Sequence, residues 1–457
     1  MATASLTAPE EAAFESWIAQ AGEQDTPGTP VQGRNAAPQS AVSVAAFARA
    51  QALNTRRHAE ALRPFRVGEF GTDLASPTAA HIRAANRLLE RLQQRLLALA
   101  DVIDRSGAAA VERSTSDALS ALLRDKDRSG LAVKHVERIW AFYFELFGQR
   151  QSRLGTLLLA SDRIALDCYQ VIYANLGRSR SVPAPPPFSF MATGFTPATY
   201  RRGVPLTRLG RRANPFPIVQ LPYHRLVNPW TLGACHHEIS HNIQSDLGLW
   251  EEVPRRIQQR LLAQGLPPPL AAIWARWNKE IWADLCGLLL GGPAIVASLI
   301  DVVALTPRPT FGFNAAGVHP TPYLRVLINL ELLRRMGFPA EADAFATLWQ
   351  RLYPVLSMES LPPALINSFA SAAADVVDII CYQPYPQLGG KSLAAVVSFS
   401  PIHHTMTLEA AQRLAQGVDP GIVPARFLVG AARRAVDLAL APPDRIASHF
   451  YAALVRR

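Results

Sequence analysis

The stretch His236-His237-Glu238-Ile239-Ser240-His241 places an H-E-x-x-H motif near the middle of the chain. Residues four apart lie on one face of an α-helix, so His237 and His241 can bind the same metal ion. Glu238 lies beside them and can hold a water molecule next to that ion. Because the motif also occurs by chance in large proteins, the surrounding residues must decide whether it forms a site.

The helix that carries the motif is expected to begin at Asn228 and Pro229, a capping residue followed by a proline suited to the first turn. At about 100° per residue, one face of this helix is apolar, and His237 and His241 lie on the opposite face. We therefore expect the two histidines to face a cleft. His236 lies near the apolar stripe and is interpreted as a buried histidine, not a ligand. The stripe consists of Leu232, Ile239, Ile243 and Leu247.

A catalytic zinc ion needs a third protein ligand and an open position for water. Six residues after His241 the chain has Leu247, so a third histidine is missing at that spacing. A second helix is predicted over residues 274–285, and Glu280 and Asp284 project into or beside its apolar side. Buried carboxylates are rare unless they are paired or bind a metal. We therefore expect Glu280 to bind the metal and Asp284 to orient a ligating histidine; the alternative is that both pair with arginines.

The order His237-Glu238-x-x-His241, then Glu280-x-x-x-Asp284, resembles the pattern of gluzincins, zinc metallopeptidases in which a helix after the H-E-x-x-H helix donates a glutamate. The resemblance implies that His237, His241 and Glu280 bind Zn²⁺, that Glu238 is the general base and that Asp284 orients a ligand. It is confined to short motifs between about residues 230 and 326.

The segment His319-Pro320-Thr321-Pro322-Tyr323-Leu324-Arg325 resembles the H-P-x-x-x-x-R element of the CAAX-protease branch of gluzincins, although the chain lacks the bundle of membrane spans usual there. Thr321 and Pro322 also predict a helix start, which places His319 just before a helix. His319, Tyr323 or Arg325 could each stabilise the negative charge on an attacked carbonyl oxygen. The alternative is that His319 caps the helix and Arg325 pairs with Asp284 or a surface acid.

The predicted chemistry is hydrolysis of peptide bonds in a protein or peptide substrate, with a metal-activated water and Glu238 as general base. Two histidines and a carboxylate also suit non-haem iron, so an oxygenase with the same ligands is an alternative. A non-catalytic metal-binding interaction protein is a second alternative, and a protease toxin or injected effector is a third. The sequence does not specify the substrate, the oligomeric state or the choice between zinc and iron.

The chain of 457 residues carries a formal charge of +10, almost all of it from arginine, because lysine occurs only at positions 126, 134, 279 and 391. Basic clusters such as Arg201-Arg202 with Arg208, Arg211 and Arg212 lack interleaved aromatic residues and a nucleic-acid-binding motif. No nucleic-acid partner is therefore expected. This cluster is interpreted as a solvated loop, with a rim that attracts acidic substrate segments as the functional alternative.

A cytoplasmic protein without a membrane span is expected, and non-classical export or injection is compatible with the sequence. The first 20 residues lack a signal-peptide pattern. The most apolar window, residues 285–300, is too short to cross a bilayer and is interrupted by Gly291-Gly292-Pro293, so it predicts a buried core segment. The four cysteines are widely spaced and indicate reduced thiols. They are Cys168, Cys235, Cys286 and Cys381.

The expected fold is mainly α-helical with a small β-sheet, an α+β class in which a zincin-like catalytic core is embedded in helical domains. The predicted segments are a flexible tail (1–62), a helical domain (63–180), the metallopeptidase core (181–400) and a C-terminal helical segment (401–457). Two strands are predicted at 188–195 and 217–221, where an edge strand could hold a substrate peptide by backbone pairing. His403 and His404 are assigned to a loop.

Overall fold

The computed structural model describes residues 43–177, 181–354 and 361–457. It is mainly helical, with a three-stranded and a two-stranded sheet, so the predicted fold class is confirmed. The strands are β1 (Phe188–Met191), β2 (Ala198–Tyr200), β3 (Pro205–Leu206), β4 (Arg212–Ala213) and β5 (Ile218–Leu221). The helices before and between the strands and the metal-binding motif are α1 (Val44–Ala61), α2 (Ala79–Arg113), α3 (Ser116–Gly148), α4 (Leu154–Leu176) and α5 (Tyr223–Val227).

The remaining helices form the part of the protein that contains the predicted site. They are α6 (Gly233–Asp246), α7 (Glu252–Ala263), α8 (Pro268–Gly291), α9 (Pro293–Val303), α10 (Pro307–Thr310), α11 (Pro322–Arg335), α12 (Pro339–Leu352), α13 (Pro363–Val377), α14 (Leu393–Val396), α15 (Pro401–Gln416), α16 (Ala425–Asp437) and α17 (Pro443–Val455).

The three-stranded sheet lies between two helical parts of the hydrophobic core. Its central strand, β5, pairs parallel with β1 and antiparallel with β2. Side chains alternate between the two faces of a strand. Ile218 accordingly belongs to the core formed with α2 and α3, whereas Val219 and Leu221 belong to the core that contains α4, α6 and α8.

The strands β1 and β5 lie within the two predicted strand segments, but β2, β3 and β4 were not predicted. Each of these three strands has only two or three residues, and none is fully buried. Such short, partly exposed strands do not show the alternation of apolar and polar residues that identifies a strand in a sequence.

Residues 44–61, predicted as part of a flexible tail, form the helix α1. The Ser43 side chain caps its first turn by accepting a hydrogen bond from the Ala46 amide. The helix packs closely on α2, because a Cβ added at Gly107 would lie only 2.3 Å from Cβ of Ala48. Small side chains at this contact give a weak hydrophobic pattern, which is why the sequence did not predict the helix. The rest of the predicted tail, residues 1–42, lies outside the described residues.

The main hydrophobic core does not follow the predicted domain boundaries. Buried residues of α4, before the boundary at 180, and of α16 and α17, after the boundary at 400, belong to the same core as α6 and α8. His403 and His404 also differ from their prediction as loop residues, since they lie in the first turns of α15. Ser400 and His403 cap this helix reciprocally, and Pro401 occupies its first turn, where a missing amide hydrogen costs little.

The apolar window 285–300 is buried, as predicted, and the helix break falls where α8 ends at Gly291 and α9 begins at Pro293. Gly292 joins the two helices with φ of +72°, a conformation that favours glycine. Among the described residues, one helical segment, Pro363–Tyr382, is long and apolar enough to cross a membrane. Half of its most apolar window is buried inside the protein.

The helix of the metal-binding motif packs against its neighbours at two glycines, one of which is a close approach. A Cβ at Gly233, the first residue of α6, would lie 2.3 Å from Oγ of Ser298 in α9. Gly287 of α8 faces the backbone of His236, where a Cβ would lie at an ordinary contact distance of 3.6 Å. The start of α6 therefore packs against α9 with no space for a larger residue.

We expect Gly233→Ala to lower the free energy of unfolding by about 1–3 kcal/mol, because the added methyl group overlaps Ser298 in a packed core. Gly287→Ala is the matched control: its methyl group fits, and alanine is favoured over glycine within a helix. Urea unfolding followed by circular dichroism measures the difference. Equal unfolding midpoints for the two variants would contradict the packing described.

Candidate metal centre

The helices α6 and α8 bring together the three predicted ligands, His237, His241 and Glu280, hereafter the ligand triad. The Nε2 atoms of the two histidines are 3.2 Å apart. The carboxylate oxygens of Glu280 lie 3.4 Å from Nε2 of His237 and 3.5 Å from Nε2 of His241. Ligand atoms about 2.0–2.1 Å from a tetrahedral ion are about 3.3 Å from one another. The spacing of the ligand triad therefore fits a single metal ion.

The helical pattern predicted for α6 explains why both histidines face the ligand triad. The apolar stripe of this helix is buried, as predicted, and the histidines project from the other side. The start of the helix differs from the prediction, because Pro229 opens a short 3-10 turn and α6 begins at Gly233. Asn228 does not cap the helix, since its side-chain amide donates instead to the carbonyl oxygen of His224.

Asp284, one helical turn beyond Glu280, orients His237. Its Oδ1 atom lies 2.8 Å from Nδ1 of His237, which places a ring hydrogen on Nδ1 and turns Nε2 towards the ligand triad. Arg325 of α11 donates to the same carboxylate through Nε (2.6 Å) and Nη2 (2.8 Å). Asp284 thus has both predicted partners, a ligating histidine and an arginine.

The charges of the buried site shift several pKa values. Burial alone would lower the pKa of His237, but Asp284 and Glu280 raise it to about 10. Burial, together with the charge of His237, lowers the pKa of His241 to about 3. Burial would raise the pKa of Glu280, yet His237, His241 and Arg325 hold it below its usual range. Without a metal, a proton on His237 therefore supplies positive charge where an ion would bind.

Glu238 has the features of a general base. Glu238 is 7% exposed, and its carboxylate has no hydrogen-bond or ion-pair partner among the described residues. Burial raises its pKa to about 7, and the nearby carboxylate of Glu280 acts in the same direction. A buried carboxylate without a partner is unfavourable unless a bound water or substrate completes its hydrogen bonds. Glu238 can therefore exchange a proton near neutral pH.

The three residues predicted to stabilise an oxyanion have different positions. His319 reaches the ligand triad: its Nε2 atom lies 3.5 Å from Oε1 of Glu280, and its side chain is 65% exposed. Arg325 is buried and bound to Asp284, which matches the alternative predicted for it. Tyr323 packs in the aromatic core, with its ring centre 4.7 Å from that of Phe311. Of the three, His319 is the residue placed at an exposed edge of the ligand triad.

His236 is a buried structural residue, as predicted. It is fully buried, and its Nε2 atom lies 3.0 Å from the carbonyl oxygen of Arg426 in α16. Burial lowers its pKa to about 4, so the ring is neutral at pH 7. The hydrogen bond joins the metal-binding helix to the C-terminal helices and turns His236 away from the ligand triad.

The basic cluster that was interpreted as a solvated loop, with a substrate rim as the alternative, is divided between two places. Arg201 lies over the indole of Trp250, 3.4 Å from the ring centre, and Lys279 lies 4.3 Å from it. Trp250 is next to the ligand triad, with its ring centre 6.5 Å from that of His241. Arg202 instead holds the backbone of Pro183, Ala184 and Pro185 and pairs with Asp246. The other three arginines of the cluster, Arg208, Arg211 and Arg212, lie on the β3–β4 hairpin.

Trp250 and Lys279 were not predicted as site residues. Lys279 directly precedes Glu280 in the chain, and this adjacency was the available signal for it. Trp250 comes after the end of α6, and no spacing in the sequence links it to a histidine of that helix. Its position depends on how the chain turns between α6 and α7.

Comparisons of the chain with protein-family models, with curated proteins and with solved structures found no match. What the structure shows is a His-His-Glu cluster near enough to hold a metal ion. The interpretation of this cluster as a gluzincin centre therefore depends on the geometry of the described residues.

We expect His237→Ala and His241→Ala each to weaken binding of a divalent metal by at least about 100-fold, more than the loss of a residue that only orients a ligand. His319→Ala is the matched control, a neighbouring histidine whose removal leaves all three ligands. Competition with a chromophoric chelator measures the affinities. Wild-type affinity should also rise from about pH 6 up to about pH 10, because the pKa of His237 is raised to about 10 and the ring must lose its proton to bind the ion. Unchanged affinity in His237→Ala would contradict the assignment.

Proposed function

We propose that the protein is a zinc-dependent metallopeptidase that hydrolyses peptide bonds in a protein or peptide substrate. The observation that carries the proposal is the carboxylate of Glu238, which is buried, unpaired and adjacent in sequence to a member of the ligand triad. A purely structural metal site has no need of such a group. A hydrolytic site needs a base that removes a proton from water.

The ligand triad suits zinc, because two imidazoles and one carboxylate form a common set for a catalytic zinc ion with an open position. When bound, zinc would lower the pKa of its water molecule and polarise the carbonyl group of a substrate. Asp284 holds His237 in the tautomer that binds a cation. Arg325 balances the charge of Asp284 and also lies 3.4 Å from Glu280, which fixes the carboxylate of that ligand.

Glu238 accepts the proton of the attacking water and then donates it to the leaving amine. This exchange is efficient when the pKa of the base is close to the working pH, and burial raises the pKa of Glu238 to about 7 in the metal-free protein. His319 is the donor we assign to the carbonyl oxygen under attack, because Arg325 is already bound to Asp284 and Tyr323 lies in the core. A non-haem iron oxygenase would use the same three ligands but gives no role to Glu238.

The outer strand β2 is the proposed backbone partner of the substrate. It borders α6, and the side chain of Asn242 in that helix donates to the hydroxyl of Thr199 in β2. The opposite edge of the sheet is closed, because side chains of Gln149, Arg150 and Asp162 bond to the backbone of β1. We therefore assign a bound peptide to the side of β2, where it would extend the sheet.

The cations next to β2 favour an acidic substrate side chain. Arg201 directly follows β2, and burial lowers the pKa of both Arg201 and Lys279. The neighbouring acid that acts on both groups is Glu251, which offsets one of the two positive charges. An aspartate or glutamate of a bound peptide would offset the other.

We expect Glu238→Gln to keep the metal and the fold but to lower turnover by about 10²–10⁴-fold, since the amide cannot accept the proton. Cleavage is measured by mass spectrometry of a complex peptide mixture incubated with the metal-loaded protein. The metal content of the variant, measured in the same preparation, is the control. Equal cleavage by the variant and the wild type would sink the proposal, and so would loss of the metal from the variant.

A further inference from the structure

A second concentration of positive charge lies away from the ligand triad, at a cavity of about 590 Å³ between α2 and α3. Both helices line the cavity with basic and apolar side chains, and the acid among its lining residues is Asp127. The basic residues are Arg95, Arg124, Arg128 and His135. The apolar residues are Leu92, Leu99, Leu131, Ala132 and Val136.

The β3–β4 hairpin adds charge to this surface. Gly210, in the turn of the hairpin, lies directly against His135, because a Cβ at this position would be 1.8 Å from Cε1 of the histidine ring. This close approach brings Arg212 of β4 next to the cavity wall. The Nε atom of Arg212 is buried and has no hydrogen-bond partner among the described residues.

These arginines are not neutralised by acidic side chains. In the described part of the chain, Arg91, Arg95, Arg124, Arg128 and Arg212 make no ion pair with a carboxylate. Asp127 is 73% exposed on its side chain and pairs with Lys126 at 3.3 Å, so its charge is already balanced. The cavity therefore carries an uncompensated positive charge.

The spacing of the arginines makes this arrangement unfavourable without an anion. Arg91 and Arg95 of α2 are four residues apart, as are Arg124 and Arg128 of α3, and like charges at this spacing destabilise a helix. Burial lowers the pKa of His135, and the charges of Arg212, Arg138 and Arg95 lower it further. Burial likewise lowers the pKa of Arg212, with Arg95 and Arg91 acting in the same direction.

We propose that this cavity binds a small molecule that carries two or more phosphate groups. Arginine forks from two helices can each bind phosphate oxygens in pairs, and a chain of phosphates can contact both helices at once. The volume lies in the range of small-molecule pockets. The apolar wall formed by Leu92, Leu99 and Val136 provides a surface for the organic part of such a ligand. This inference does not depend on the proposed peptidase activity.

The test is isothermal titration calorimetry of the full chain with three probes: inorganic tripolyphosphate, ATP and inositol hexakisphosphate. We expect saturable binding of at least one probe with one molecule per chain. Arg95→Gln and Arg128→Gln should each weaken it by about tenfold or more, since each removes a charge-assisted contact. Arg95 and Arg128 are both exposed, and equal thermal unfolding of the variants and the wild type confirms that the fold is kept.

Arg105→Gln is the matched control, because Arg105 is also an exposed arginine of α2 but lies ten residues beyond Arg95, outside the cavity. Its binding should stay within about twofold of wild type. Tighter binding of ATP or of the inositol phosphate than of tripolyphosphate supports the site and identifies the organic part. Equal binding of all three supports a site for the phosphate groups alone. Absence of saturable binding, or equal weakening by Arg105→Gln and Arg95→Gln, would overturn the proposal.

Discussion

Three helices meet at the carboxylate of Asp284, and the arrangement of the whole centre depends on this contact. The carboxylate belongs to α8, accepts a hydrogen bond from His237 of α6 and is paired with Arg325 of α11. Its side chain is 4% exposed, and a buried ion pair that loses one partner costs several kcal/mol. The hydrogen bond between Asp284 and His237 therefore fixes the distance between α6 and α8, and Arg325 holds the Asp284 carboxylate in position for it. That distance in turn places Glu280 against the two histidines.

The features that depend on helical periodicity could be predicted from the sequence. Positions around a helix show that His237 and His241 face away from the apolar stripe and that His236 is not a metal ligand. They also show that Glu280 and Asp284 point towards the apolar side of their helix. Glu280 and Asp284 could be assigned to the same site as the histidines of α6, because two carboxylates on an apolar face require a cation. The fold class, mainly helical with a small sheet, could also be predicted, because most of the chain shows the helical period.

Features that depend on tertiary contacts could not be predicted in this way. Tyr323 follows His319 closely in sequence, but the helix start between them turns it into the aromatic core. Arg325 suited two roles equally well in the sequence, stabilising an oxyanion or pairing with an acid. Only the position of Asp284 decides between these roles. The helix α1 packs through alanines against a glycine, which leaves little hydrophobic signal. The metallopeptidase activity, the peptide substrate and the cytoplasmic location stay predictions.

The segment from β2 to β4 connects the two positively charged regions of the protein. At one end, Arg201 follows the edge strand next to the ligand triad. At the other end, Gly210 and Arg212 contact the cavity between α2 and α3. A ligand bound in the cavity would therefore lie against the segment that also borders the proposed substrate strand. The arginines grouped by sequence thus divide between two surfaces because the hairpin turns them in different directions.

The most direct test of the account is the position of a metal in a crystal of the purified protein, measured by anomalous diffraction at the zinc absorption edge. The account predicts one strong anomalous peak, about 2.0–2.1 Å from Nε2 of His237, Nε2 of His241 and a carboxylate oxygen of Glu280. An ion bound elsewhere, or a zinc-soaked crystal without a peak between these three side chains, would contradict it.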